Sequence, residues 1–311
     1  MTRVAAVDLG TNSVRLLVAD VVDGQVDELV RETVITRLGE GVDERRRLLP
    51  EPIARVRNVL VDFRRRAENL GAERTLAVGT SAIRDAENGE AFLGEVEWSY
   101  GFDTLLLSGD DEAAMTVRGV SAGRELEPGT LVLDVGGGST ELTAPGFRVS
   151  LDVGSVRLTE RFLASDPPTS EELERCRAAM RALLEERAGE LEVRHAIGVA
   201  GTITTIAALE LGEYDPKRVH GCRIAAEAVD LQLERLAALP LAERRELPGL
   251  EPARAPVIVA GVAIVAEVLR FFALDELEVS EHDLLTGAAL AAAELPEREE
   301  GDAPPGAYTC C

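Results

Sequence analysis

Apolar residues along the chain fall into two patterns, short β-branched runs and longer stretches with a three- to four-residue spacing. Residues 4–7 and 131–133 are runs short enough for buried strands. Residues 52–70 instead carry a helical spacing that ends at Gly71, and this spacing predicts one amphipathic helix. Its apolar face is formed by Ile53, Val56, Leu60, Phe63 and Ala67.

The same patterns predict an alternation of strands and helices over most of the chain. Strands and turns are expected over residues 4–38, a β-rich segment follows from residue 76, and a strand covers residues 104–107. A helix is expected from Ser108, and another opens with a capping box formed by Thr169 and Glu172. An apolar interior helix is expected over residues 256–272. The sequence therefore predicts an α/β protein.

One short sequence motif with a polar centre occurs twice. Residues 6–18 read AVDLGTNSVRLLV and residues 131–142 read LVLDVGGGSTEL. An offset of 126 residues places Asp8 on Asp134, Gly10 on Gly136 and Ser13 on Ser139. Each copy reads as a strand, a tight turn and an antiparallel strand. Two unrelated hairpins are the alternative, but we interpret the match as an internal duplication that gives two related lobes.

Both turns have the chemistry of a phosphate site. Successive N–H groups of glycine-rich turns form a nest for an anion, and Ser and Thr hydroxyls add donors. One candidate loop is Thr11, Asn12 and Ser13, and the other is Gly136, Gly137, Gly138, Ser139 and Thr140. A third candidate is Gly201 with Thr202, where an apolar run leads into a helix. Asp8 and Asp134 are oxygen ligands suited to Mg²⁺. Neither turn matches a Walker or dinucleotide-binding pattern.

Composition excludes several classes of protein. The chain has 311 residues, a formal net charge of −23 and 46% hydrophobic residues, which predicts two globular domains. The negative charge disfavours nucleic acid as a partner. No signal peptide or membrane span is expected, so we predict a cytoplasmic protein. The four cysteines lack metal-binding spacing, and we expect a structural role for His220 in VHGCR.

A set of sequence motifs in a fixed order identifies a protein family more specifically than any one motif does. These motifs are AVDLGTNSVRLL, AVGTSAIRDAEN, SGDDEA, LDVGGGSTEL, GSVRLTERF, GVAGTITTIAAL and VHGCRI. Together they resemble the exopolyphosphatase and guanosine pentaphosphate phosphatase (Ppx/GppA) family in its short two-domain form. The resemblance implies two ribonuclease-H-like lobes of the actin, sugar kinase and chaperone ATPase superfamily with an interlobe cleft. We expect lobes at residues 1–115 and 116–295 and a disordered tail at residues 296–311.

The resemblance also implies roles for individual residues. Glu112 corresponds to the catalytic glutamate that activates water, and Arg84 to an arginine that clamps the phosphate chain. Asp134 and Glu141 correspond to Mg²⁺-associated carboxylates, to which Asp8 is added. Two positions depart from the family pattern, because Asp283 stands where many members have glycine and Thr286 where many have arginine.

The predicted activity is hydrolysis of the terminal phosphate of inorganic polyphosphate with Mg²⁺. Guanosine pentaphosphate is the alternative substrate for the same site, and basic residues between Lys217 and Arg223 could recognise either ligand. A non-catalytic phosphate- or nucleotide-binding regulator and a kinase of the same superfamily are further alternatives. The apolar helices late in the chain suggest a homodimer.

Overall fold

The chain forms two units, each built around its own sheet, in a computed structural model that describes residues 1–189 and 191–296. One unit contains Met1–Arg124 and the segment that begins at His282, and the other contains Glu125–Glu281. The sequence-based division at residues 115 and 116 therefore differs from the structural one. The predicted tail lies outside the described residues, apart from Pro296.

The first unit contains a five-stranded sheet in the order β3-β2-β1-β4-β5. Strands β1, β2 and β3 are antiparallel neighbours, whereas β1, β4 and β5 are parallel. The elements up to Arg124 are β1 (Thr2–Leu9), β2 (Ser13–Val22), β3 (Gln25–Ile35), α1 (Val42–Arg45), α2 (Pro50–Asn69), β4 (Arg74–Gly79), α3 (Ser81–Asp85), α4 (Gly89–Tyr100), β5 (Asp103–Leu106) and α5 (Gly109–Val120).

The second unit repeats this arrangement with one added edge strand. Its sheet has the order β8-β7-β6-β9-β11-β10. Strands β8, β7 and β6 are antiparallel neighbours, β6, β9 and β11 are parallel, and the edge strand β10 is antiparallel to β11. Its elements are β6 (Thr130–Val135), β7 (Thr140–Ala144), β8 (Phe147–Leu151), α6 (Ser155–Phe162), α7 (Ser170–Ala188), β9 (His195–Val199), α8 (Ala200–Leu211), α9 (Pro216–Val219), β10 (Arg223–Ala225), α10 (Ala226–Ala238), α11 (Leu241–Arg244), α12 (Ile258–Phe271) and β11 (Glu276–Val279). The shared topology confirms the predicted duplication and the two ribonuclease-H-like folds.

The last helix, α13 (Leu284–Glu294), belongs to the first unit because it covers a sheet face that would otherwise be exposed. Strand β1 alternates its side chains between two cores. Ala5 and Val7 pack with α2, whereas Val4 and Ala6 pack with Leu285 and its neighbours on α13. A strand that is buried on both faces needs a covering layer on each side.

Two glycines bring α13 close to α5. A Cβ atom added at Gly119 would lie 1.9 Å from the carbonyl oxygen of Asp283, and one added at Gly287 would lie 2.0 Å from that of Met115. No other residue type fits either position without displacing one of the helices. The close contact fixes the start of α13 against the helix that carries Glu112.

Most of the helices predicted from spacing and capping are present. Helix α2 buries the predicted stripe except Ile53, which is half-buried. The Ser108 hydroxyl accepts a hydrogen bond from the Asp111 N–H, and both hydrogen bonds of the Thr169–Glu172 capping box are formed. The prediction of a β-rich segment from residue 76 was wrong beyond Gly79, because Thr80 leads into the short helix α3. Local pattern did not reveal this helix, whose Ala82 N–H donates to Thr11 Oγ1, 71 residues earlier in the chain.

Candidate functional site: two duplicated loops and their buried charges

The first loop is a tight turn between β1 and β2. The Gly10 N–H donates to the Ser13 carbonyl oxygen over 3.0 Å, and a Cβ atom at Gly10 would lie 2.8 Å from that oxygen. The Thr11 carbonyl accepts from the Gly39 N–H, and the Asn12 carbonyl accepts from two N–H groups of the segment after β3. The loop is therefore held by backbone hydrogen bonds on both of its sides.

Asn12 in this loop has buried polar atoms without hydrogen-bond partners. The side chain is 6% exposed, and neither Nδ2 nor Oδ1 has a hydrogen-bond partner in the structure. Burying a polar group without a partner costs about 1–3 kcal/mol. Such a cost at the tip of a glycine turn is expected where a bound ligand supplies the missing hydrogen bonds.

Glu112 and Arg84 form an ion pair at the start of α5. The carboxylate is 7% exposed, and its Oε2 accepts from Arg84 Nη1 over 2.9 Å. The same nitrogen donates to the Leu107 carbonyl oxygen, again over 2.9 Å. The two residues that the family resemblance assigned to water activation and phosphate clamping are thus in direct contact within the first unit.

Asp8 lies at the end of β1, directly opposite Arg15 on β2. Its Oδ2 accepts from Arg15 Nε over 2.8 Å, whereas its Oδ1 is buried and has no hydrogen-bond partner. Burial raises the pKa of Asp8 above its ordinary value, although the Arg15 guanidinium opposes this shift. The Arg15 guanidinium therefore pairs with one oxygen of the Asp8 carboxylate, and the other oxygen stays without a partner.

The second loop closes in the same way as the first. The Gly136 N–H donates to the Ser139 carbonyl oxygen over 3.0 Å, the equivalent of the bond between Gly10 and Ser13. The Thr140 hydroxyl, however, donates to the Val153 carbonyl oxygen over 2.7 Å. Because this hydroxyl already serves a structural bond, the backbone of the loop is its main source of donors.

The carbonyl groups of the three glycines in the second loop bond to the start of α6. The Gly136 carbonyl accepts from the Ser155 N–H, and the Gly137 carbonyl accepts from the next two N–H groups. The Gly138 carbonyl accepts from the buried Arg157 Nε over 2.7 Å. In a trans peptide the N–H points opposite to the C=O, so the N–H groups of residues 137, 138 and 139 point away from α6. Successive N–H groups on one side of a turn are the arrangement that can bind an anion.

Asp134 and Glu141 form a second feature of this unit. They are buried and directly opposite each other on β6 and β7, where unit one has the Asp8–Arg15 pair. Like charges at opposite positions of an antiparallel pair are destabilising unless a cation is near. Two carboxylates with room for water are the ligand set that Mg²⁺ commonly uses, so these residues fit a magnesium ion. Glu141 Oε1 also accepts from Ser150 Oγ over 2.7 Å.

The third predicted site, at the start of α8, is organised differently from the two turns. Ala200 has a positive φ of 68°, and a Cβ atom at Gly201 would lie 2.1 Å from Arg254 Nη1. Thr202 is buried, and a Cβ atom at Gly261 would lie 2.7 Å from its side chain. The Thr202 side chain therefore packs on α12, and Arg254 occupies the space above Gly201. Sequence reasoning missed Arg254 because it lies 53 residues away in a segment without regular spacing.

Several other expectations are settled by local contacts. His220 Nδ1 accepts from the Glu281 N–H, which fits the structural role predicted for this histidine. Arg218 pairs with Glu213, and Arg223 pairs with Glu276 over 2.5 Å, both on the exposed surface. Among the described residues no three His, Cys, Asp or Glu side chains are grouped as a metal site. No described helix has the length and apolar character needed to cross a membrane.

A family model described as the Ppx/GppA phosphatase family matches residues 17–292. The chain belongs to the Ppx/GppA phosphatase family. It is 39% identical to exopolyphosphatase 2 of Mycobacterium tuberculosis over 94% of this chain and 99% of that protein. The solved Aquifex aeolicus member is 34% identical with a TM-score of 0.78, covering 94% of this chain and 97% of that one. A solved exopolyphosphatase-like protein is 33% identical with a TM-score of 0.87, covering 93% and 97%.

Membership in the Ppx/GppA phosphatase family confirms the resemblance drawn from the seven sequence motifs. Within this family member, the two loops retain one closing hydrogen bond but differ in the residue opposite the aspartate. That residue is Arg15 in the first unit and Glu141 in the second. The duplication has therefore produced one aspartate that is neutralised internally and one pair of carboxylates that suits a cation.

Proposed function

We propose that this protein is an exopolyphosphatase that hydrolyses the terminal phosphate of inorganic polyphosphate. The observation that carries the proposal is the ion pair of buried Glu112 with half-buried Arg84, in a family member whose mycobacterial relative is named an exopolyphosphatase. A buried carboxylate beside a guanidinium provides a base for water and a positive group for phosphate oxygens. Phosphoryl transfer needs these two kinds of group more than covalent chemistry.

In this proposal Glu112 orients the attacking water and accepts its proton. Arg84 contacts phosphate oxygens when substrate is bound. Donors for other phosphate oxygens come from Thr11, Asn12 and Ser13 in the first unit. In the second unit they come from the N–H groups of Gly137, Gly138 and Ser139 in the Gly136–Thr140 loop. Gly201 and Thr202 would contribute backbone N–H groups only. Preorganised donors of this type stabilise the charge that develops in the transition state.

Magnesium is the metal that the carboxylates suit. In the second unit, Asp134 and Glu141 would hold it. In the first unit, Asp8 is proposed by itself as a metal ligand through Oδ1, its oxygen without a hydrogen bond. When bound, Mg²⁺ would offset the negative charge of the phosphate chain. We expect Asp134→Asn to raise the Mg²⁺ concentration for half-maximal rate, measured by titration. An unchanged Mg²⁺ dependence would remove Asp134 from the metal site.

The direct test of the mechanism is Glu112→Gln. Loss of a general base lowers turnover by about 100-fold or more, and phosphate release from polyphosphate in the presence of Mg²⁺ measures it. Asp110→Asn is the matched control, because it removes the same charge from an exposed position in the same helical turn. An unaltered melting temperature would show that Glu112→Gln is folded. A Gln variant as active as the wild type would exclude Glu112 as the base.

Substrate choice is tested by comparing kcat/KM for polyphosphates of graded length and for guanosine pentaphosphate. We expect polyphosphate to be preferred; a higher value for guanosine pentaphosphate would assign the alternative substrate. Binding without phosphate release would indicate a regulator, and ATP consumption with a phosphate acceptor would indicate a kinase.

A cytoplasmic location and a homodimer are proposals with less support. Helix α12 is buried within its own unit, so it offers no apolar surface to a second copy. Light scattering of the purified protein would test the dimer, and cell fractionation would test the location.

A further inference from the structure

The second loop contains a buried backbone donor that is not used within its unit. Ser139 is 2% exposed, and its N–H donates no hydrogen bond to any residue of the described ranges, 1–189 and 191–296. Buried N–H groups without a partner are rare, because they have lost their hydrogen bonds to water. This N–H belongs to the planar peptide group that joins Gly138 to Ser139, so its direction depends on what holds that peptide group.

Arg157 holds the same peptide group from its carbonyl side. Its Nε donates to the Gly138 carbonyl oxygen over 2.7 Å, and the residue lies in the first turn of α6 with 7% exposure. The C=O and N–H of a trans peptide point in opposite directions, so this bond directs the Ser139 N–H away from the guanidinium. A hydrogen bond from a charged donor is roughly twice as strong as one from a neutral donor. The peptide group is therefore held by a strong bond to a buried side chain.

The equivalent peptide group of the first loop is held without a charged side chain. The offset of 126 residues places Gly138 on Asn12. The Asn12 carbonyl accepts from the backbone N–H groups of Thr36 and Arg37, over 3.1 and 2.8 Å. In the second loop, the backbone N–H groups at the start of α6 bond to the two preceding glycines instead. The side chain of Arg157 thus takes the place of two backbone donors.

The composition of the second loop gives this bond a larger task than its counterpart has. Residues 136–138 are all glycine, whereas residues 10–12 of the first loop are glycine, threonine and asparagine. Glycine has more backbone freedom than any other residue, so Gly138 by itself does little to fix the peptide group that follows it. The orientation of the Ser139 N–H must therefore be imposed by a contact from outside the loop, and Arg157 Nε makes that contact.

We infer that Arg157 is a positioning residue for phosphate: its bond to the Gly138 carbonyl keeps the Ser139 N–H directed at a phosphate oxygen. Arg157 itself does not touch the phosphate in this scheme. The inference rests on the proposed function, because the ligand in question is the phosphate chain of the substrate. A purely structural role for Arg157 would not require the buried Ser139 N–H to stay without a partner in its own unit.

Two substitutions separate the hydrogen bond from the charge. Glutamine carries an amide nitrogen after Cδ, where arginine carries Nε, so Arg157→Gln keeps a neutral donor and Arg157→Met keeps none. We expect Arg157→Met to raise KM for polyphosphate by about 10–100-fold with kcat within about 3-fold, because a donor that binds substrate and transition state alike acts on KM. Arg157→Gln should restore KM to within about 3-fold of the wild type. Equal losses in both variants would overturn the inference.

Arg161→Met is the matched control, because it removes the same charge from an exposed position one turn later in α6. We expect its KM and kcat to stay within about 2-fold of the wild type, as for a surface charge. A lower kcat at unchanged KM in Arg157→Met would indicate loss of folded enzyme and would also overturn the inference. If Arg157→Met does not fold, Arg157→Ala is measured in the same way, since its smaller side chain leaves room for water at the Gly138 carbonyl.

The amide signal of Ser139 gives a readout that does not depend on activity. When isotope-labelled protein is titrated with inorganic phosphate, we expect the Ser139 amide proton to move downfield in the wild type and in Arg161→Met, and to move clearly less in Arg157→Met. A wild-type signal that does not respond to phosphate, or an Arg157→Met signal that responds like the wild type, would contradict the inference. If the wild type releases no phosphate from polyphosphate, the proposed function fails while this titration still decides the role of Arg157.

Discussion

Replacing Gly119 by alanine tests whether the contact between α5 and α13 is as close as the structure indicates. The new methyl group would lie 1.9 Å from the Asp283 carbonyl oxygen and 2.8 Å from the Gly287 nitrogen. Both neighbours are backbone atoms, so no side-chain rotation relieves the overlap. An ordinary contact begins at 3.4 Å, so α13 would have to move by about 1.5 Å relative to α5.

The magnitude follows from two opposing contributions. Alanine in place of glycine inside a helix gains about 1 kcal/mol of helix stability. Overpacking costs about 1–3 kcal/mol, and a backbone neighbour places this change at the upper end. We expect Gly119→Ala to lower the free energy of unfolding by about 2 kcal/mol, together with a loss of phosphatase activity as the start of α13 shifts.

Chemical denaturation followed by tryptophan fluorescence measures this effect in the relevant unit. Trp98 is the only tryptophan of the chain, lies on α4 of the first unit and is 56% exposed. Gly94→Ala on α4 is the control, because nothing lies within 4 Å of its added Cβ. It should raise stability by about 0.5–1 kcal/mol. A Gly119→Ala variant as stable as Gly94→Ala would refute the close packing.

Three further outcomes are expected. Gly154→Ala places a methyl 2.4 Å from the Gly137 carbonyl group, so it should distort the second loop. We expect KM for polyphosphate to rise by about 10-fold or more in steady-state assays. An unchanged KM would argue against this loop as a binding site. Burial raises the pKa of the Cys176 thiol to about 12, so iodoacetamide at about pH 8 should leave Cys176 unmodified in the folded protein, as read by mass spectrometry. The Thr169 N–H and further hydrogen bonds lower the pKa of Glu172 below its ordinary value of 4.5. The stability advantage over Glu172→Gln should therefore be complete above that pH and disappear as pH falls through the lowered pKa, which denaturation at graded pH would detect.

Local pattern determined the features that depend on neighbouring residues. The glycine turns after Asp8 and Asp134 could be predicted because a sharp turn after a buried strand requires residues with little or no side chain. The cap at Ser108 and the capping box at Thr169 could be predicted because their donors and acceptors lie three residues apart. The order of the seven sequence motifs also identified the family, since these motifs are spread over most of the chain rather than confined to one turn.

Tertiary structure decided which charges those turns face. The sequence marks Asp8 and Asp134 as equivalent, yet only strand pairing places Arg15 opposite one and Glu141 opposite the other. Arg157 was visible in the sequence only as one of many arginines, and its bond to the Gly138 carbonyl depends on the packing of α6. Contacts between residues far apart in the chain leave no periodic signal to predict them.

The placement of α13 shows the same limit most clearly. Its residues are mostly apolar, but the face it covers belongs to a strand about 280 residues earlier in the chain. The sequence by itself determined that the helix must be buried, because its side chains are apolar. Only the assembled sheet determined where, since β1 has a second apolar face and the glycines of α5 and α13 permit the close approach that covers it.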